Sequence, residues 1–232
     1  MEPIAENVKR VRERIAEACL RAGRPETSVT LVAVSKTQSP EIIRRAYDAG
    51  VRDFGENRVQ ELIKKYPSYD GARVHMIGHL QTNKAALVTG RCALIQSVDS
   101  IRLAQTIDRA AEKKGCVQNV LAELNIAREA DKSGLMPEAL DEFLDQFREF
   151  SHLKLCGLMT IGPKPENEQS NRKYFEKCYR IYVDKRAKTC NNIVLEILSM
   201  GMSRDYAAAI EEGATMVRVG TAIFGERFYP AT

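Results

Sequence analysis

The sequence predicts an α/β fold: a single (β/α)8 barrel spanning residues 1–232 as one domain, with one extra helix before the first strand. Three observations carry that expectation. Short apolar runs alternate with amphipathic helical stretches, eight such runs can be counted, and no Pro/Gly/Ser-rich linker divides the chain. Strands alternating with helices pair in parallel through right-handed crossovers, and eight of them can close into a barrel. Strand count alone does not show closure, so an open doubly wound sheet is the structural alternative.

At the start of the chain, Ile4, Val8, Val11, Ile15 and Ala18 fall on one helix face and leave arginines and glutamates outside. After Gly23-Arg24-Pro25, residues 29–34 form a mostly β-branched run with little polar alternation, as in a strand covered on both faces. Further strands are read at 53–55, 74–78, 93–97, 120–125, 155–159, 193–198 and 216–220. Helical patterns fill the gaps, for example Ile101, Ala104, Ile107 and Ala111, or Ala139, Leu140, Phe143, Leu144 and Phe147. The stretch 162–167 reads as a loop after the sixth strand, and Asp131-Lys132-Ser133-Gly134 as a polar turn leading into the next helix.

Composition narrows the function classes. Hydrophobic residues make up 44% and charged residues 28%, which fits an ordinary globular chain. The net charge of +4 is scattered rather than blocked, which argues against nucleic acid as a partner. No stretch approaches a membrane span and Met1-Glu2-Pro3 opens no signal peptide, so a cytoplasmic protein is expected. The six cysteines lie far apart, without C-x-x-C pairs or a nearby His; reduced thiols and no metal site are expected.

In a barrel, chemistry gathers where strands end. Lys36 follows the small and apolar Leu31 to Ser35, so its stem should emerge from the interior, where poor solvation favours the neutral amine and Schiff-base chemistry. Taken alone, a strand-terminating lysine that reaches water is the simpler reading. The far end of the chain decides otherwise. Met200, Gly201 and Ser203 follow strand seven, with Ser203 as an expected helix N-cap, and Arg218, Gly220 and Thr221 close strand eight. Loops after strands seven and eight, with a short helix N-terminus, form the recurrent phosphate site of such barrels. A ligand carrying both an aldehyde and a phosphate would use both ends, and pyridoxal 5′-phosphate is the common one. Asn57 and His79 could line its ring, although a helix cap and a packed imidazole explain them equally well. His75 and His152 read as filler.

Six blocks, Ala33-Val34-Ser35-Lys36-Thr37, Phe54-Gly55-Glu56-Asn57, Ile77-Gly78-His79-Leu80-Gln81, Gly157-Leu158-Met159-Thr160-Ile161, Ser199-Met200-Gly201-Met202-Ser203 and Arg218-Val219-Gly220-Thr221-Ala222-Ile223-Phe224-Gly225, closely resemble the pyridoxal phosphate homeostasis proteins nearly end to end. The resemblance implies a fold-type III barrel like the N-terminal domain of alanine racemase, with the cofactor as an aldimine on Lys36. It also implies phosphate contacts from the Ser203 turn and Gly220-Thr221, and Arg218 near the pyridine nitrogen. It implies binding, buffering and delivery of the cofactor, with apo-enzymes as recipients and an influence on amino-acid and keto-acid balance, without catalysis. A monomer is expected. Two other readings stay open: a cofactor-dependent racemase or decarboxylase, disfavoured because no β-rich second domain fits after strand eight, and a cofactor-free Schiff-base aldolase, for which Glu123 is the available carboxylate.

Overall fold

The computed structural model describes residues 3–187 and 190–226. Eight parallel strands close into a barrel in sequence order: β1 (Thr30–Val34), β2 (Asp53–Glu56), β3 (Arg73–Met76), β4 (Leu94–Val98), β5 (Gln118–Leu124), β6 (Leu153–Thr160), β7 (Ile193–Met202) and β8 (Met216–Val219). Closure comes from β1 pairing with β8, Thr30 opposite Met216 and Ala33 opposite Val219, which eliminates the open sheet. The extra helix is α1 (Ile4–Arg21). The helices between strands are α2 (Pro40–Asp48), α3 (Val59–Lys65), α4 (Ala85–Val88), α5 (Ile101–Lys113), α6 (Leu140–Phe147), α7 (Arg172–Arg186) and α8 (Tyr206–Glu211), and α9 (Thr221–Phe224) follows β8.

Local chemistry sets these boundaries. Ser39 caps α2 by accepting from the Ile42 N–H, with Pro40 in the first turn where its missing N–H costs nothing. Ser100 caps α5 through the Leu103 N–H. Burial then separates two apolar layers. Val8, Val11 and Ile15 of α1, Ala104 and Ile107 of α5, and Phe143 and Phe147 of α6 belong to the outer layer between strands and helices. Val32, Leu94, Leu121, Met159 and Met216 fill the barrel itself.

Polar groups cross that interior in an ordered chain. Arg218 donates to Ser199 Oγ at 2.5 Å, and Ser199 donates to Gln96 Oε1 at 2.7 Å. Gln96 Nε2 donates to His75 Nδ1 at 2.9 Å, which leaves His75 Nε2 to donate to Asp53 Oδ1 at 3.0 Å. Arg73 closes the chain with two bonds to Asp53, at 2.7 and 2.6 Å. Burial raises the proton affinity of the Asp53 carboxyl, but the bonds from His75 and Arg73 outweigh it and hold the group below the usual carboxylate range. His75, read from sequence as filler, therefore joins two strands.

Candidate functional site

One cavity at the C-terminal mouth of the barrel is lined by Val34, Lys36, Pro165, Met202, Ser203, Arg204, Asp205, Arg218, Gly220 and Thr221, and holds about 210 Å³ of water-accessible space. Strands β1, β7 and β8 converge there because β8 lies between the other two. Lys36, two residues beyond the end of β1, is half-buried and lines the cavity.

In the same cavity, the Gly220 N–H donates to Ser203 Oγ at 3.0 Å and the Ala222 N–H donates to the same oxygen at 3.5 Å. Ser203 is thus not the N-cap of α8. That position belongs to Asp205, whose carboxylate accepts from the Met202 N–H at 2.7 Å, because β7 runs on to Met202 before the chain turns. The Ser203 hydroxyl instead spans to the first turn of α9, placing an oxygen where backbone N–H groups converge. A phosphate oxygen would take the same donors, so these residues fit an anion.

Arg218 lines the cavity yet is only 3% exposed. Besides Ser199 it donates to the Thr160 carbonyl at 2.8 Å. Burial pushes its pKa down to about 10, with Glu123 and Asp205 opposing, so it stays cationic at neutral pH. Glu123 is 6% exposed on β5, and its Oε2 has no hydrogen-bond partner among the described residues. Burial, with Asp99 adding to it and Arg218 opposing, pushes this carboxyl up to about 7.

Five residues expected from sequence, Lys36, Ser203, Arg218, Gly220 and Thr221, share the cavity. Four others do not line it. Met200 is fully buried in the outer apolar layer: its neighbour Ser199 faces the barrel interior, so Met200 faces the helices. Met202 takes the lining position instead, a shift produced by the β-bulge between Ser199 and Met202. Gly201 adopts φ +89°, and a Cβ there would lie 2.5 Å from Ala209 Cβ, so this glycine serves the packing of α8. Asn57 is half-buried at the end of β2. His79 accepts or donates at 3.0 Å with Ser133 Oγ and lies 3.4 Å from Asp99, in a separate surface pocket with Thr82 and Arg102. The 131–134 turn does not simply lead into α6: Leu135 returns to β5, donating to the Glu123 carbonyl at 2.7 Å and accepting from the Asn125 N–H.

Sequence reasoning missed Val34, Pro165, Met202, Arg204 and Asp205. Strand alternation from Val32, an interior residue, would have found Val34.

A closed parallel barrel with a lysine just beyond β1 and an anion-fitting end after β8 defines the class of the alanine racemase N-terminal domain, and residues 2–228 match that family. An alanine racemase from Clostridium difficile shares the fold at 17% identity with a TM-score of 0.73, this chain spanning 61% of that one. The chain belongs to the family of pyridoxal phosphate homeostasis proteins. The Aquifex aeolicus member is 46% identical over 226 residues, covering 97% of this chain and 98% of that protein. The structure of PipY from Synechococcus elongatus, determined with PLP bound, is 36% identical with a TM-score of 0.80 and covers 93% of this chain and 100% of that one.

Proposed function

We propose that this protein holds pyridoxal 5′-phosphate as a Schiff base on Lys36, with the phosphate at Ser203 and Gly220-Thr221, and keeps the cofactor available to apo-enzymes rather than catalysing a reaction. The observation that carries the reading is a cavity that brings Lys36 together with the Ser203 hydroxyl and the backbone N–H groups that converge on it. When bound, the cofactor supplies an aldehyde for the amine and a ring that can withdraw electrons. The chain's own residues do the rest. Lys36 binds, the Ser203 turn and first turn of α9 orient, and Arg218 sets a fixed positive charge in the cavity lining.

With the pyridine nitrogen held near Arg218, the guanidinium would oppose its protonation and make the ring a weaker electron sink. Residues 1–232 act, in this reading, as one cytoplasmic, monomeric cofactor-binding unit. The free cysteines suit a reducing compartment.

The test incubates the loaded protein with L- and D-amino acids in deuterated water, following α-proton exchange and product formation, alongside transfer of cofactor to an apo-enzyme. Transfer without turnover is expected. Turnover well above that of the free cofactor and lost in Lys36→Ala would replace the carrier with an enzyme. Aldol cleavage by cofactor-free protein, lost in Glu123→Gln, would favour the aldolase.

A further inference from the structure

Lys36 sits on an elbow. The next residue, Thr37, has φ +68°, a left-handed conformation that strains a β-branched residue. Such strain persists where surrounding contacts over-determine the backbone, and it collects at functional positions.

Here the contacts pin the peptide units on both sides of Lys36. Before it, the Ser35 N–H donates to the Gly55 carbonyl at 3.0 Å, and the Ser35 carbonyl accepts both the Gln38 N–H at 3.0 Å and the Lys65 ammonium at 2.8 Å. After it, the Thr37 N–H donates to the Glu61 carboxylate. Lys65 ties the two sides together, donating to Glu61 at 2.5 Å and to Glu56 Oε1 at 3.1 Å. The same Glu56 oxygen takes the Ser35 hydroxyl at 2.8 Å and the Tyr69 hydroxyl at 2.5 Å. Burial opposes ionisation of Glu61, but the Lys65 bond and the Thr37 amide hold its carboxyl below the ordinary range.

The Lys65 side chain is only 10% exposed and that of Glu56 is fully buried, with Glu56 Oε2 left without a hydrogen-bond partner among the described residues. For stability alone this is a poor arrangement, since apolar residues of similar volume commonly do as well as a buried ion pair or better. What the cluster provides is a fixed backbone at Lys36.

We infer that Lys65, braced by Glu56 and Glu61, is a positioning residue for Lys36: it locks the elbow so that the amine meets the cavity in one orientation. The inference rests on the reading of Lys36 as the amine that condenses with an aldehyde. In that condensation the nitrogen bonds to the carbonyl carbon, the C–O bond breaks, and both amine hydrogens leave with the oxygen as water. Orientation governs the rate of this step, whereas the phosphate end lies on other loops.

The experiment uses Lys65→Met and Thr37→Gly, with two probes. Pyridoxal 5′-phosphate reports imine formation through its absorbance band and borohydride trapping; pyridoxine 5′-phosphate, which lacks the aldehyde, reports the phosphate end by calorimetry. Imine formation is expected to slow about 10- to 100-fold in Lys65→Met and about threefold or more in Thr37→Gly. Affinity for pyridoxine 5′-phosphate should stay within about twofold of wild type in both, because donors at Ser203 and Gly220 are untouched. Thr37→Gly keeps the test alive should Lys65→Met fail to fold, since glycine tolerates the elbow and loses only its pre-organisation. A wild-type imine rate in a folded variant overturns the inference, as does a parallel loss for both probes, which would mark a general collapse of the cavity. An imine band surviving in Lys36→Ala overturns the reading of Lys36 and the inference with it.

Discussion

Glu123→Gln should remove a pH dependence from the stability of the fold. The Glu123 carboxyl, 6% exposed and with one oxygen unpartnered among the described residues, is raised by burial from 4.5 to about 7, with Asp99 adding to the effect and Arg218 opposing it. The folded state therefore keeps its proton where the unfolded chain has lost it. Below the unfolded value both states are protonated and the group contributes nothing. As pH rises from 4.5 to about 7 the unfolded state releases the proton first, so stability falls, and above that range the loss is complete. The interval corresponds to about 3 kcal/mol. Urea denaturation of wild type and Glu123→Gln at matched pH between these limits and pH 8 measures it. The variant should gain on wild type by about 3 kcal/mol from the acid to the alkaline end, since a glutamine has no proton to lose. A gain below about 0.5 kcal/mol, or a change of opposite sign, would refute the argument that burial dominates over the Arg218 charge.

Ser203→Ala removes a hydroxyl donor from the phosphate end of the cavity, so affinity for pyridoxal 5′-phosphate should fall about five- to tenfold while that for pyridoxal is unchanged. Equal losses for the two vitamers in equilibrium titrations would remove the phosphate from this end. Gly157→Ala places a Cβ 1.8 Å from the Ile197 carbonyl oxygen, so β6 and β7 must separate, at a cost of about 3 kcal/mol or more. The melting temperature should drop by about 6–12 °C, and an unchanged melt would contradict the close approach of these strands.

Much of the barrel is legible in the sequence because apolar runs mark buried parallel strands. Strand one is read at 29–34 and found at Thr30–Val34, and the face of Val8, Val11, Ile15 and Ala18 is buried as its spacing predicts. Strand seven is the exception: read at 193–198, it extends to Met202, because Gly201 looks like a turn but lies in a bulged strand against α8. That bulge also explains why Met200 was expected at the cavity and Met202 is found there. The interior chain from Arg218 to Asp53 had no local signature at all. Ser199 and Gln96 are 103 residues apart, and pairing at that range depends on barrel register rather than on any motif. For the same reason the bracing of Lys36 by Lys65 was invisible: Lys65 reads as an ordinary basic residue in the last turn of a helix, and only the fold brings it under Ser35.

The most direct measurement is borohydride reduction of the protein incubated with pyridoxal 5′-phosphate, followed by peptide mass mapping, in wild type and in folded Lys36→Ala. A single reduced adduct on the Lys36 peptide in wild type, and neither adduct nor imine band in the variant, is the expected result. A stoichiometric adduct on another lysine, or a full imine band retained without Lys36, would contradict the assignment of this cavity as the cofactor site.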